Sequence, residues 1–344
     1  MTSESQPAAG MRVAAIDVSH WHARYDAAWL PVFRDLGATF VGMSDPNGEI
    51  ASDHAEQFGG KAFTDYREMV EETKPDFVVA LGRHIDMPER FRFLVEEGIP
   101  FLMEKPWGTD AATVNGLVDL VEAKGAWVAV PYSSRYIAWT MKAKAMIEAG
   151  EFGQISHIQF RSMRPRQRRY KPWLSEWMYD REAAGGGVLI NIGCHGFDVA
   201  RYLTGEEPEV ISAVTSNQVD GLGVEEYALV TMRTPSGIII NNEMGYLMPA
   251  WPELESWPKN NGERDLKVVG DKAVLRTVSG GLQVLKPDYE EMVEGPPPYE
   301  IGAPKLARDC LEALAKGAPP PIEPRACARS MELIQDSYRM AGRR

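Results

Sequence analysis

The sequence predicts an α/β protein with two domains, in which a parallel, doubly wound sheet precedes a second α/β domain with an open sheet. The first observation behind this prediction is the length of 344 residues, which is long for one hydrophobic core. The second is that short apolar runs alternate with helical patterns in the first part, whereas strand patterns dominate the second. We therefore expect a first domain over residues 1–131 and a second over 132–324, with C-terminal helices over about 325–344 packing back on the first.

Alternating strand and helix patterns support the parallel sheet. The predicted strands cover residues 12–16, 39–43, 76–81, 100–103 and 126–130. Each is followed by a helical pattern or by the domain boundary. Doubly wound sheets bind ligands at the carboxyl ends of their strands, and the ligand is often a dinucleotide.

The composition limits the classes of partner. The formal net charge is −12 at pH 7, which argues against the backbone of a nucleic acid and against an anionic membrane surface as partners. The three cysteines, Cys194, Cys310 and Cys327, form no CxxC motif and indicate reduced thiols in a cytoplasmic protein. Residues 1–10 lack the apolar core of a secretory signal.

The turn after the first strand lacks the glycine fingerprint of dinucleotide-binding folds. It has the sequence DVSHWH over residues 17–22, with Asp17, Ser19 and His22 at the three glycine positions. The N-terminus of the helix that should follow still favours an anion. Asp45, at the end of the second strand, can accept hydrogen bonds from a ribose diol and would repel a 2′-phosphate, which favours NAD over NADP. Asp45 is equally well explained as a turn residue before Pro46.

A dinucleotide in this position would contact the first turn, Asp45 and the ends of the next two strands. The predicted cofactor-binding residues are Val18, Ser19, His20, Trp21, Asp45, Leu81, Arg83, His84, Glu104 and Lys105. His20 and His22 also raise the question of a metal. No further ligand follows them at zinc-like spacing, so we predict no metal site.

Residues 185–198, with the sequence GGGVLINIGCHGFD, carry the main candidate chemistry. Three glycines lead into a predicted helix on which Asn191, His195 and Asp198 share one face. Such a stripe is either the solvated side of an amphipathic helix or the polar wall of a cleft. The neighbouring motifs favour the cleft.

The second candidate motif, Glu104-Lys105-Pro106, follows the fourth predicted strand. Its lysine would lie at the ligand-binding rim of the sheet, and the proline restricts the backbone that carries it. The alternative is a surface ion pair at a turn.

These two motifs together resemble the glucose-fructose oxidoreductase, inositol dehydrogenase and MocA-like family. The resemblance extends through the segment 132–136, the entry to the second domain at 150–155 and the closing helices within 307–338. It implies an N-terminal Rossmann domain and a C-terminal domain with an open, mainly antiparallel sheet. It also implies a nicotinamide cofactor, a sugar or polyol substrate, and a homodimer or homotetramer formed through that sheet.

By this resemblance, Lys105 would hydrogen-bond the reacting hydroxyl group and His195 would exchange its proton, with Asn191 as the third catalytic candidate. A base with a pKa near neutrality and a nearby cation both help hydride to leave a carbinol carbon. Asn191 stands where the family usually has a carboxylate, so it can orient His195 or bind a sugar hydroxyl group without adding charge. Asp198 would orient the stripe from one turn away.

An arginine- and aromatic-rich segment over residues 164–177 supplies candidates for substrate binding. Aromatic rings can stack on a sugar, and one or two of its arginines can bind an anionic group on the substrate. Ion pairing across a subunit interface is the alternative. The predicted substrate-binding residues are Arg135, Arg164, Arg166, Tyr170, Trp173, Asn191 and Asp198.

Three functions follow, in order of preference. The first is an NAD(H)-dependent oxidoreductase acting on a sugar, sugar acid or polyol. The second is a glycosidase or lyase that oxidises a sugar carbon transiently on retained NAD. The third is a sugar-binding relative without catalysis, which the missing glycines and Asn191 favour.

Overall fold

The computed structural model describes residues 6–25, 27–248, 262–279, 281–294 and 299–342. The first sheet has six parallel strands in the order β3-β2-β1-β4-β5-β6. Its strands are β1 (Arg12–Ile16), β2 (Thr39–Ser44), β3 (Lys61–Phe63), β4 (Phe77–Ala80), β5 (Phe101–Met103) and β6 (Val128–Ala129). Continuous apolar runs such as FVVA in β4 suit a strand that is buried on both faces. The strand order reverses between β1 and β4, and this is the topological switch point of the sheet.

Helices connect these strands. They are α1 (Trp29–Asp35), α2 (Gly48–Phe58), α3 (Tyr66–Thr73), α4 (Met87–Glu96) and α5 (Ala111–Lys124). The sequence prediction missed β3 and α3, because β3 has three residues and carries only one buried side chain, Phe63. The parallel, doubly wound sheet itself is confirmed.

The second sheet has eight strands in the order β14-β13-β12-β11-β7-β10-β9-β8. Its strands are β7 (Ile155–Pro165), β8 (Glu209–Ser216), β9 (Tyr227–Arg233), β10 (Ile239–Met248), β11 (Glu263–Gly270), β12 (Val274–Val278), β13 (Gly281–Lys286) and β14 (Tyr289–Glu294). All neighbours are antiparallel except β7 and β10, which confirms the open, mainly antiparallel sheet. The hairpin of β13 and β14 was not predicted.

The remaining helices cover one face of the second sheet or return to the first. They are α6 (Ala138–Glu148), α7 (Arg181–Ala184), α8 (Cys194–Thr204), α9 (Tyr299–Ala315) and α10 (Arg325–Met340). The helix α10 contacts α5 through Asn115, which donates to Glu332 at 3.0 Å, and through Arg325, which pairs with Asp119 at 3.0 Å. It packs against α8 and β8 as well, so the C-terminal helix joins both sheets.

No helix among the described residues has the length and apolar character needed to cross a membrane. The buried apolar side chains instead form a core that continues from the first sheet to the second.

Candidate active site

The glycine segment that leads into α8 is held by a buried glutamate. Gly185 ends α7 in the left-handed region, at φ 78°. Gly187 passes so close to Glu225 that an added Cβ would lie 1.9 Å from its carbonyl oxygen, so only glycine fits here. The carboxylate of Glu225 accepts hydrogen bonds from the amides of Gly187 at 2.9 Å and Leu189 at 3.1 Å, and from the hydroxyl of Tyr338 at 2.7 Å.

The predicted polar stripe is divided by a π-helical turn. This turn covers Leu189–Gly193, and the regular helix α8 begins only at Cys194. A π-helical turn widens the helix and rotates the residues on its two sides relative to each other. The turn contains Asn191, whereas His195 and Asp198 both lie in α8. Asn191 and His195 line one cavity, and Asp198 is absent from its lining.

Asp198 and Arg135 form an ion pair in which the carboxylate is fully buried. The guanidinium group of Arg135 donates to both carboxylate oxygens, at 2.8 and 2.6 Å, and the side chain of Asp198 has no exposed surface. This pair joins α8 to the segment that follows the first domain. Neither side chain lines the cavity that contains Lys105 and His195, and contact of Asp198 and Arg135 with substrate remains a prediction.

The cavity beside His195 is where the carboxyl end of β5 meets the π-helical turn. Lys105, directly after β5, is buried, and its Nζ donates to Asn191 Oδ1 at 2.6 Å and to the Asn191 carbonyl oxygen at 2.9 Å. The Lys105-Pro106 peptide bond is cis. The amide nitrogen of Asn191 donates in turn to the hydroxyls of Tyr170 at 2.9 Å and Tyr246 at 2.7 Å. Asn191 thus positions Lys105, and it does not make the predicted contact that would orient His195.

His195 lines the same cavity as Lys105. Within the described part of the chain, its buried Nδ1 has no hydrogen-bond partner. Burial, followed by the positive charges of Lys105 and Arg264, lowers the pKa of His195 well below its usual value. The imidazole is therefore neutral at pH 7 and able to accept a proton.

Glu104 makes its contacts within the first domain. Its Oε1 accepts a hydrogen bond from Trp29 Nε1 at 2.6 Å and lies 2.8 Å from His22 Nδ1. Burial raises the pKa of this carboxyl group, but the charges of His22 and Lys105 and the contact with His22 outweigh it and bring the pKa to about 2. The carboxylate is therefore ionised and fixes the start of α1 against β5.

Four aromatic rings fill the crevice at the switch point of the first sheet. His20 and Trp21, after β1, stack at 3.9 Å between ring centroids, and both are buried. Trp177 of the second domain lies 5.8 Å from Trp21, and its ring edge meets His84, after β4, at 5.0 Å. The neighbouring cavity that contains Lys105 has a volume of about 40 Å³, whereas ligand pockets usually measure about 300–1,000 Å³. In this arrangement the crevice holds the chain's own side chains.

The backbone amides of the first turn are also engaged. Ser19 donates to Asp45 Oδ2 at 2.8 Å, and the amide of Asn47 donates to Asp45 Oδ1 at 2.9 Å, so Asp45 acts as a turn residue while facing the first turn. The amide of His22 donates to His20 Nδ1 at 3.1 Å. The helix predicted directly after the turn is only a short 3₁₀ segment here, and α1 begins at Trp29, so the predicted anion-binding helix N-terminus is not formed.

The ends of β1 and β2 border an acidic cavity of about 190 Å³. Asp17 and Asp45 line it together with Tyr66, Arg67 and Arg90. Burial raises the pKa of Asp17 to about 6, although Arg90 lies 3.1 Å away and lowers it. Carboxyl groups of this kind can accept hydrogen bonds from a ribose diol, and contact of Asp45 with a cofactor remains a prediction.

Other predicted cofactor residues serve the fold around the crevice. The amide of Val18 donates to the Ser44 carbonyl at 3.2 Å, and that of Leu81 donates to the Ile16 carbonyl at 3.0 Å. Arg83 pairs with Asp86 at 2.5 Å. For these three side chains, contact with a cofactor remains a prediction.

The arginine-rich segment divides into two groups. Arg166 and Arg168 both pair with the buried carboxylate of Asp220. Contact of Arg166 with substrate remains a prediction. Arg164 and Arg169 line the cavity with Lys105 and His195. Trp173 stacks against Tyr25 at 5.7 Å and lies 6.0 Å from the ring of Tyr170, which lines the cavity. Contact of Trp173 with substrate remains a prediction.

The structure adds residues that the sequence did not single out. Arg264 on β11 lines the cavity, Tyr246 on β10 holds Asn191, and Trp29 holds Glu104. None belongs to a recognisable motif, and Arg264 and Tyr246 reach the site through strand pairing with β7. Among the described residues, no group of three or more His, Cys, Asp or Glu side chains could hold a metal ion.

Family models match both parts of the chain. Residues 15–132 match an oxidoreductase family with an NAD-binding Rossmann fold, and residues 140–276 match the GFO/IDH/MocA C-terminal domain. The chain belongs to the GFO/IDH/MocA oxidoreductase family. This confirms the resemblance deduced from the sequence, and NAD is the cofactor of the family's first domain.

Individual relatives of the GFO/IDH/MocA family are distant in sequence. An inositol 2-dehydrogenase from Rhizobium meliloti (strain 1021) is 28% identical over 165 residues, which are 46% of each chain. A levoglucosan dehydrogenase from Pseudarthrobacter phenanthrenivorans is 27% identical over 185 residues, 52% of this chain and 45% of the relative. The matches thus span about half the length of these curated relatives.

Solved structures of the same fold cover almost the whole chain. An oxidoreductase from Agrobacterium radiobacter in complex with NAD+, L-tartaric acid and magnesium has a TM-score of 0.83 and 16% identity, with 96% of both chains covered. An aldose-aldose oxidoreductase from Caulobacter crescentus complexed with glycerol has a TM-score of 0.80 and 19% identity, covering 96% of this chain and 97% of its own. At these identities the likeness establishes the fold.

Two parts of this site lie where the fold would hold the family cofactor NAD, namely the acidic cavity and the ring-filled crevice. The acidic cavity beside β1 and β2 suits the adenosine ribose of NAD, with Asp45 as the acceptor. The rings of His20, Trp21 and Trp177 lie against one another where the remainder of a dinucleotide would cross the sheet. We therefore expect the first turn to move when NAD binds to this GFO/IDH/MocA chain.

We expect His84, a buried neutral histidine of this crevice, to lower the free energy of unfolding in acid. Burial, then the charge of Lys105, lowers the pKa of His84 to about 3, so the unfolded chain takes up a proton that the folded chain refuses. This contribution to stability is complete above about pH 6.5 and decreases as the pH falls below that value. The free energy of unfolding should decrease when the pH is lowered from about 7.5 to 5.5. In His84→Asn this decrease should be smaller by about 1.4 kcal/mol, measured by urea denaturation at both pH values. An unchanged pH dependence would show that the pKa of His84 is the same in the folded and the unfolded protein.

Proposed function

We propose that this chain is an NAD(H)-dependent oxidoreductase that transfers hydride to or from a carbinol carbon of a sugar, sugar acid or polyol. The observation that carries the proposal is that Lys105 and His195, from different domains, line one cavity. Each is suited to one part of the chemistry. The lysine bears a positioned cation, and the histidine is neutral with a buried ring nitrogen available.

In the oxidative direction, the substrate hydroxyl group would lie between the two side chains. Lys105 donates a hydrogen bond to the hydroxyl oxygen and stabilises the negative charge that develops there. His195 accepts the hydroxyl proton on a ring nitrogen, and in the reverse direction it returns the proton. NAD, when bound, supplies the acceptor of the hydride.

Asn191 acts on this pair through Lys105. Because its side-chain oxygen and its carbonyl both accept from the ammonium group, the third ammonium proton is left to face the cavity. Tyr170 and Tyr246 fix the orientation of the amide by accepting from its nitrogen. We expect Asn191 to be a positioning residue in the reaction.

A second candidate function is sugar binding without catalysis. The filled crevice favours it, because the rings of Trp21 and Trp177 occupy space where a dinucleotide would cross the sheet.

Transient oxidation on retained NAD would use the same residues as the first proposal. We also propose a homodimer or homotetramer formed through the uncovered face of the second sheet.

Two measurements on the intact protein separate these functions. Native mass spectrometry during titration with NAD and NADP reports bound nucleotide and subunit number, and we expect NAD to bind in preference. Absorbance at the NADH band is then followed with a panel of hexoses, hexuronates, aldonates and cyclic polyols. Stoichiometric NADH formation supports the dehydrogenase, product formation without net NADH supports transient oxidation, and sugar binding without nucleotide binding supports the non-catalytic relative.

A further inference from the structure

We infer that the substrate carries an apolar substituent, an alkyl or aryl group joined through an oxygen atom, which binds in a side cavity next to His195. This inference narrows the substrate class and rests on the proposed function. The side cavity is lined by residues of α6, α8 and the second sheet and has a volume of about 60 Å³. His195, Ile137 and Ile192 line this cavity as well as the one that contains Lys105. One molecule can therefore occupy both.

Strand register builds one wall of the side cavity. Phe160 and Ser162 are two residues apart on β7, and side chains two apart on a strand share a face. In the antiparallel pair of β7 and β11, Leu266 lies opposite Phe160 and Arg264 lies opposite Ser162. Asn242 on β10 is paired with Phe160 from the other side. Three adjacent strands thus contribute to the wall, and all five residues line the cavity.

Most of the lining is apolar. The apolar side chains that line the side cavity are Ile137, Trp139, Phe160, Ile192, Val199 and Leu266. Trp139, Phe160 and Ile192 pack against the hydrophobic core but remain partly exposed. An apolar group that covers these three side chains removes their surface from water, and this stabilises the complex.

The charged residues at the side cavity lie at its boundary or are bound on the other face of the sheet. Arg161 pairs with Glu243 at 3.2 Å, and Asp265 accepts a hydrogen bond from the hydroxyl of Thr277 at 2.9 Å. Both alternate with the residues of the wall, so their side chains leave the opposite face. Arg264 lies where the two cavities meet and lines both. The surface that the side cavity offers beyond this boundary is therefore mainly apolar.

The wall also contains one hydroxyl group that a ligand can satisfy. Among the described residues, the buried hydroxyl oxygen of Ser162 has no hydrogen-bond partner. An unpaired buried hydroxyl lowers stability, and a ligand atom that accepts its proton removes that cost. The oxygen that joins a sugar to an apolar group is such an acceptor and carries no charge. An O-glycoside therefore fits the wall better than a free sugar does.

The test compares glycosides that differ only in the apolar group. Isothermal titration calorimetry of the full chain, with and without NAD, measures the affinities for the methyl and phenyl β-pyranosides of D-glucose, D-galactose and D-xylose. In the series that binds best, we expect the phenyl glycoside to bind about 10- to 100-fold more tightly than the methyl glycoside. Thr140→Phe, which fills the cavity from α6, should abolish most of that difference. Trp139→Ala should reduce it even if Thr140→Phe folds poorly.

The role of Ser162 has a test of its own. The phenyl O-glycoside should bind about 3- to 10-fold more tightly than the phenyl 1-thioglycoside, because sulfur is a weak acceptor. Ser162→Ala should remove this preference for oxygen while keeping the preference for phenyl over methyl. If Ser162→Ala left the preference for oxygen intact, the assignment of a joining oxygen to this hydroxyl would be overturned.

Trp127→Ala is the matched control for Trp139→Ala, because Trp127 is also a partly exposed tryptophan but is absent from the lining of both cavities. It should leave the preference for phenyl unchanged. Equal affinities for methyl and phenyl glycosides in every series, failure of all of them to bind, or a preference that Thr140→Phe and Trp139→Ala both leave intact would overturn the inference. Binding of NAD is titrated separately. NAD binding without a preference for phenyl overturns this inference alone, whereas an absence of NAD binding refutes the proposed function.

Discussion

Replacing Lys105→Met is expected to lower kcat for the preferred sugar or polyol by a factor of about 10²–10³. Methionine keeps the length of the side chain but removes the ammonium group that would stabilise the developing alkoxide. The same change leaves Asn191 Oδ1 without its donor at 2.6 Å, which costs about 1–3 kcal/mol of folding stability. Initial rates from NADH absorbance, with thermal unfolding measured on the same samples, separate the two effects.

Lys142→Met is the control for this prediction. Lys142 lies on the surface of α6, 3.7 Å from Glu291, and its replacement should change neither kcat nor the unfolding temperature appreciably. If Lys105→Met kept full kcat in a folded protein, Lys105 would have only a structural role. The proposal that Lys105 and His195 share the proton chemistry would then be withdrawn.

Replacing Trp21→Ala is expected to increase the affinity for NAD by about 10- to 100-fold. In the structure the indole ring of Trp21 lies in the crevice between His20 and Trp177, and we expect a dinucleotide to displace it. The free energy spent on this displacement lowers the apparent affinity of the unmodified chain, and removing the ring removes that cost. Fluorescence or calorimetric titration with NAD measures the change directly.

Two further variants make this result interpretable. Trp177→Ala opens the crevice from the second domain and should act in the same direction, even if loss of the buried Trp21 ring weakens the fold. Trp127→Phe is the control, because Trp127 donates to the carbonyl of Ala318 next to β6 and lies far from the crevice. A lower affinity for NAD in Trp21→Ala would show that Trp21 contacts the cofactor, as the sequence predicted.

Strong apolar runs made the first sheet predictable. Residues such as those of β4 form a continuous buried strand whose pattern is independent of distant partners. The hairpin of β13 and β14 could not be predicted in the same way, because its strands mix apolar residues with Gln, Lys and Glu at an edge of the sheet. Edge strands bury one face at most, so their hydrophobic signal is weak.

At the site, motif residues were easier to identify than their orientations. Lys105 and His195 were found from their places at a strand end and after a glycine segment, and they line one cavity. The π-helical turn at Leu189–Gly193 could not be deduced, because helical spacing in sequence assumes an unbroken α-helix. The pairing of Asp198 with Arg135 could not be deduced either, because Arg135 lies far from it in the sequence. Likewise, Arg264 joins the site by strand register, which no local pattern encodes.

The hydrogen bond from Tyr338 to Glu225 connects the start of the His195 segment to α10. The glutamate that holds the amides of Gly187 and Leu189 receives its hydroxyl donor from this helix. A buried acceptor that loses its donor costs about 1–3 kcal/mol, so undocking of α10 would loosen the turn that carries Asn191. Folding of that turn is therefore coupled to the docking of a helix that is distant from it in the chain.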